Sequence, residues 1–191
     1  IATIILPLLL GEFKTLYPEI NLEITEPAGG AALDMVEHEE ADLAFVHDAE
    51  GRPNLTLRKL STWPICLCVL PNHPLASKNS ITLENACHYP LVLLSRNFIL
   101  TRRILKEFAR LKLTPDILHF SPNLSSVWNI VRQGIAISIL TGNGIMPASG
   151  LVAIPIEGLF QKGFIVTKKG RQIYADERCL IDFVQHKFAV E

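Results

Sequence analysis

Charge of either sign is scarce and unbiased in this chain. Eighteen Lys and Arg stand against nineteen Asp and Glu, a net charge of −1. The basic residues are scattered, so they form no stripe of the kind that neutralises nucleic-acid phosphates. Any DNA contact of the complete protein is therefore expected outside this piece. Cysteine is sparse too: Cys66, Cys68, Cys87 and Cys179, with no CxxC pair. They read as small buried hydrophobes in a reducing compartment. Cys66 and Cys68 stand two apart, which puts both on one face of a strand. Long apolar runs are missing. The longest, within IATIILPLLLGEF, holds about ten residues, too short to span a bilayer. It has no basic flank and carries Pro7, so neither a signal peptide nor a membrane span is expected.

Catalytic signatures are missing as well. There is no GxSxG, HExxH, P-loop or GxGxxG. The histidines, at 38, 47, 73, 88, 119 and 186, are dispersed, and no pair has metal-ligand spacing on one helix. His47 and Asp48 are adjacent, but neighbours on an extended segment point apart. No catalytic residue, no metal site and no cofactor is expected, and the chain does not read as an enzyme.

What is present is a core. Hydrophobic residues make up 49% of 191 positions, too many for a disordered segment. Leu6, Leu9, Leu10, Phe13, Leu16 and Tyr17 have helical spacing, with Thr3 at the N-cap position and Pro18 as the stop. Ile20, Leu22 and Ile24 alternate with polar residues and predict a half-buried strand. A short helix is predicted over 31–40, and strands at 43–46, 55–60 and 63–70. The last of these stops at LPNHPLA, where Pro71 and Pro74 cannot donate to a ladder. Thr82 caps a short helix. Strands follow at 91–94, 117–120, 135–140, 151–156 and 164–168. Helices are predicted at 101–111, from the Asn123 cap to Gly134, and over the C-terminus. Helices alternating with short apolar strands predict an α/β fold with mostly parallel sheets.

Such sheets bind ligands beyond the carboxyl ends of their strands, often at helix N-termini. The loops there are Ala2-Thr3, Pro27 to Gly30, His47-Asp48, Ser95-Arg96-Asn97 and Ser121-Pro122-Asn123. Hydroxyls, an amide, backbone N–H groups and one Arg suit a small anion. Each of these residues could equally be an ordinary cap or turn.

The order of these pieces resembles the regulatory domain of LysR-type transcriptional regulators. LPLLLGEFKTLYPEINLEI followed by ADLAF is similar to that family. So are CVLPNHPLASKNSITLENACHYPLVLL, LTPDILHF with VWNIVRQGIAISIL, and the closing LVAIPI and KKGRQ…FVQH. The resemblance covers essentially the whole chain. It implies a fold like type II periplasmic binding proteins: two Rossmann-like α/β subdomains joined by two crossover strands. Subdomain I would be 1–71 plus 157–191, with its first strand preceding this sequence, and subdomain II 72–156. LPNHPLA then marks a hinge-side joint, with His73 as a turn residue.

The resemblance also implies a cytoplasmic effector sensor. A small anionic metabolite would act as co-inducer in the inter-subdomain cleft. The chain would assemble as a homodimer or homotetramer, with DNA held by a winged helix-turn-helix not in this chain and no membrane contact. Carried over by position, the effector-binding residues are Ala2, Thr3, Ala28, Gly29, Gly30, His47, Ser95, Arg96, Asn97, Thr101 and Asn123. Gly29 falls where many members carry Thr or Ser, and Thr101 near where many carry Arg, which Arg102 could replace after a one-residue slip. Thr141 stands in place of the usual Pro. A periplasmic solute-binding protein of the same fold is the alternative reading.

Overall fold

The computed structural model describes every residue except 28–29, 50, 146–149 and 190–191. It divides into two compact units, Ile1–Thr62 with Lys162–Glu191, and Trp63–Gln161.

The first unit opens on a helix of mixed pitch. Helix α1 (Ala2–Pro7) runs into a π-helical stretch, Leu8–Phe13, and closes with α2 (Lys14–Leu16). Pro7 has no amide hydrogen and its ring crowds the preceding turn, so the ladder is interrupted where the pitch widens. Ile5, Leu9 and Phe13, four apart, are buried against Ile165, Leu180, Ile181 and Val184. The Phe13 ring lies 4.9 Å from Tyr17 and 5.2 Å from Phe183. Lys14 ends the helix by donating to the carbonyls of Pro18 (2.9 Å) and Ile20 (2.7 Å). Thr3 is not the N-cap: the Ile1 carbonyl already accepts from Ile4 and Ile5 at 3.1 Å, so Thr3 lies inside the first turn.

The strand expected at Ile20 to Ile24 is not formed. Ile20 and Leu22 pack on the core, but among the described residues no strand lies beside 21–27 to accept a ladder. Helix α3 (Ala31–Glu37) buries Leu33 and Val36 on Leu55 and Val166. Strand β1 (Leu43–His47) pairs antiparallel with the distal part of β6 (Val152–Lys168), from Leu43↔Thr167 to His47↔Gly163. The C-terminal helix is α7 (Ala175–Ala189).

Two predicted pairs of strands are each one continuous strand. Leu55–Val69 is a single β2, and the segments expected at 151–156 and 164–168 are both β6. Each passes from one unit into the other.

In the second unit, β2 pairs antiparallel with β5 (Ile137–Thr141), and β3 (Leu91–Leu94) lies parallel to both β5 and β4 (Ile117–Ser121). Side chains alternate across the sheet. Ile65, Leu67 and Val69 join the cluster of α5 (Ile99–Arg110), which buries Leu100, Ile104 and Phe108. Cys66 and Cys68 share the other face with Val127 and Val131 of α6 (Leu124–Arg132). Burial pushes their thiols up, to about 11 and about 12. Gly134, at φ +69, ends α6 in the left-handed conformation that favours glycine. Thr82 and Asn85 form the reciprocal capping box of α4 (Leu83–Ala86). Beyond β2, His73 is a turn residue: its Nδ1 accepts from the Leu75 amide at 3.2 Å, and its ring stands edge-on to Tyr89 at 4.6 Å.

Candidate functional site

Because β3, β4 and β5 run parallel, their carboxyl ends share one edge of the second unit. Three loops leave that edge. Ser95 to Asn97 follow β3, and Ser121 to Asn123 follow β4. The Ser95 amide donates to the Ser121 carbonyl at 2.8 Å, which joins the two loops. Ser121 Oγ engages the backbone N and O of Asn123, both at 3.2 Å. Phe98 and Asn123 occupy the N-caps of α5 and α6, and neither gives a side-chain cap bond. The first amides of both helices therefore keep donor capacity for an acceptor brought by a ligand.

Arg96 and Asn97 are exposed, and Ser95 is half-buried. The Arg96 guanidinium lies 4.6 Å from the Phe120 ring centroid. Arg102 donates to the Asn97 carbonyl at 2.8 Å, shaping this loop from below. Thr101 is buried and donates to the Leu94 carbonyl at 2.9 Å, so its hydroxyl fastens α5 to the end of β3.

The third loop, Thr141 to Asn143, follows β5 and was not among the expected site residues. Thr141 Oγ1 donates to Gln161 Oε1 at 2.6 Å in a buried pair. Asn143 Nδ2 is buried with no hydrogen-bond partner among the described residues. Gly142 sits so close to β2 that a Cβ would stand 3.3 Å from Pro64. The sequence signal was available: an apolar strand that breaks into Thr-Gly-Asn at a strand's carboxyl end.

In the first unit, Ala2 and Thr3 form the half-buried first turn of α1. Ala28 and Gly29 lie outside the described residues. Gly30 is the N-cap of α3. Arg52 lies near it, paired to Asp34 at 2.7 Å and Glu37 at 2.8 Å. Hydrogen bonds from Asn54 and Arg52 hold the Glu37 carboxyl below the usual range.

His47 ends β1 and is half-buried. Burial pushes its pKa down to about 3, against a bond with the Lys162 backbone. At neutral pH its imidazole is uncharged. It offers a ligand hydrogen bonds rather than a cation, which leaves Arg96 as the charged member of the expected set.

Among the described residues, no group of three or more His, Cys, Asp and Glu is placed to hold a metal ion. None of their helices is long and apolar enough to cross a membrane.

The profile of the LysR substrate binding domain matches residues 1–189. The chain belongs to the LysR substrate-binding-domain family. This is a family of regulators rather than enzymes, and its effector-binding domains have the type II periplasmic-binding-protein-like α/β fold. The chain is 28% identical over 158 residues to the HTH-type transcriptional regulator CysB of Burkholderia cenocepacia, covering 81% of the chain and 50% of that protein. It spans about half the length of the curated relatives it matches. The effector binding domain of QuiR in complex with shikimate superposes with TM-score 0.80 at 20% identity, over 97% of this chain and 91% of that one. The BenM effector binding domain with its effector benzoate gives 0.83 at 15% identity, over 98% and 87%. A LysR domain of this kind is built for effector binding.

Proposed function

We propose that this LysR domain senses a small anionic metabolite and transmits its binding to a DNA-binding segment of a longer cytoplasmic regulator. The observation that carries the reading is the shared edge of β3, β4 and β5. There Arg96, the hydroxyl and amide of Ser95 and Asn123, and two uncapped helix N-termini gather with no carboxylate among them. The carboxylates held by two structural neighbours, shikimate and benzoate, support the same ligand class.

In the proposed complex, Ala2, Thr3, Gly30 and His47 of the first unit serve the same effector, along with Ala28 and Gly29. Ser95, Arg96, Asn97 and Asn123 supply the anion's donors, and Thr101 holds their loop in place. A ligand that prefers one conformation shifts the population toward it. In a homodimer or homotetramer, that shift would change the spacing of the DNA-binding segments.

The test is a thermal-shift screen of small carboxylates, beginning with shikimate and benzoate, followed by calorimetry on the best binder. Removing a charged donor costs about 1.5–3 kcal/mol. Arg96→Gln is therefore expected to weaken binding at least about tenfold, and Asn123→Ala less. Unchanged affinity in both variants would remove the assignment.

A further inference from the structure

A cavity of about 220 Å³ in the first unit takes no part in the effector reading. It is lined by Arg58, Ile173, Arg178, Ile181, Asp182 and Gln185. Arg58 stands on β2 two residues before Leu60, so both point to one face of the strand. Leu60 packs there with Leu180, Ile181 and Val184 of α7. On α7, Arg178, Ile181, Asp182 and Gln185 recur three, four and seven residues apart, which places them on one helix face.

Arg58 is unlike the other half-buried arginines of this unit. Arg52 holds two carboxylates, Asp34 and Glu37. Arg171 also holds two, Glu177 and Asp42. Arg58 has none, and its Nη1 is buried without a hydrogen-bond partner among the described residues. A guanidinium cannot shed its proton. Sinking its charge part-way into a core without a counter-charge is costly. No fixed counter-ion is at hand: Asp182 lines the cavity but, among the described residues, forms no ion pair with Arg58 or Arg178. Two guanidiniums against one carboxylate leave positive charge in excess.

We propose that this cavity binds a small oxyanion that still carries a proton, the chemistry of inorganic phosphate. The guanidinium of Arg58 matches the oxyanion's geometry, Arg178 adds the second cation, and the Gln185 amide donates. Asp182 sets the choice of ion. A carboxylate repels an anion unless that anion has an O–H to donate. Phosphate near neutral pH has one and sulfate does not.

The test is calorimetric titration of the 191-residue chain with inorganic phosphate and with sulfate, at ionic strength held constant with sodium chloride. Thermal shift serves as the second readout, since binding to the folded state raises its melting temperature. Saturable phosphate binding is expected, with sulfate at least tenfold weaker. Arg58→Met and Arg178→Met should each weaken phosphate at least tenfold. Asp182→Asn should bring sulfate to within a few-fold of phosphate. Arg96→Gln, in the proposed effector loops, should leave phosphate binding unchanged. If Arg58→Met does not fold, Arg178→Met and Asp182→Asn, both at exposed positions of α7, carry the test.

Three results overturn the inference: phosphate effects that never saturate, affinity unmoved by Arg178→Met, or binding abolished by Arg96→Gln. The last would assign the phosphate to the effector loops. Loss of carboxylate binding in Arg96→Gln with phosphate binding intact separates the fate of the two sites.

Discussion

Replacing Phe108 by alanine is expected to destabilise the second unit by about 3–5 kcal/mol, the range for emptying a buried aromatic site. Phe108 is 1% exposed, on the inward face of α5 one turn beyond Ile104. It belongs to the cluster that joins Ile65 and Leu67 of β2, Leu91 and Leu93 of β3, and Ile139 of β5. Those strand residues are fixed by ladders on either side and cannot collapse into the space the ring leaves. The cost is therefore the lost transfer free energy together with the void. Both tryptophans, Trp63 and Trp128, belong to the second unit. Urea denaturation followed by tryptophan fluorescence thus reports the unit in question. A midpoint nearly unchanged from the parent chain would mean that α5 does not pack on this sheet as described.

Acid sensitivity is the second large effect, and His47 carries it in the range above pH 5. In the unfolded chain this imidazole takes up a proton near its ordinary value of 6.5, whereas the folded chain holds it down to about 3. Between those values the unfolded state binds more protons, so stability falls as pH falls from about 6.5 toward about 3. One such group gives a slope of at most about 1.4 kcal/mol per pH unit. Solvent around a half-buried ring lessens the shift and so narrows the pH span over which that slope holds. His73 is displaced in the same direction by burial and adds to the slope. The carboxyls of Glu37 and Glu39, held low by Asn54 with Arg52 and by Lys168, enter only below their ordinary 4.5. His47→Gln should flatten stability between pH 6.5 and pH 5, as read by urea denaturation under circular dichroism, and leave the steeper fall below it. A parallel decline in variant and parent would mean that His47 is not held neutral by its surroundings. On the alkaline side the sign reverses for Cys66 and Cys68. Their thiols are held up, so the unfolded chain releases protons first and stability falls above about pH 9.

Local signals in the sequence translated well where the deciding interaction is local. The Thr82 cap, the four-residue β3, the glycine that ends α6 and the amphipathic face of α5 all lie within a few residues of their cause. The failures are of a different kind. Leu55–Val69 alternates in its first half and is continuously apolar in its second, which reads as two strands. It is one strand, half-buried where it passes Arg58 and Lys59 and buried on both faces from Ile65 onward. The switch from alternation to a continuous apolar run marks where burial changes, not where a strand ends. Alternation at Ile20, Leu22 and Ile24 was likewise real, but a strand needs a neighbour to take its hydrogen bonds. The π-helical stretch follows from Pro7, whose effect on pitch depends on how the rest of the helix is packed.

The candidate site divides in the same way. Ser95, Arg96, Asn97 and Asn123 follow from strand ends and helix starts, and the structure brings their two loops together through the Ser95–Ser121 bond. Asn143 lies outside the expected site residues: the break into Thr-Gly-Asn is legible in the sequence, but burial without a partner among the described residues is not. Thr101 lies in the expected place, yet its hydroxyl is spent on the Leu94 carbonyl. It positions the loop rather than offering a free donor. His47 is expected among the effector-binding residues and ends β1. Its depressed pKa sharpens that reading, because a neutral imidazole discriminates by hydrogen-bond geometry and adds no general attraction for anions.

The central claim is that one small anion engages both sets of loops. Amide-resolved NMR titration with benzoate, or with whichever carboxylate gives the largest thermal shift, tests it most directly. The account predicts saturable shifts at Ala2, Thr3 and His47 and at Ser95, Arg96, Asn97 and Asn123, all fitted by a single dissociation constant. Shifts confined to one set, with the other unmoved at saturation, would contradict it.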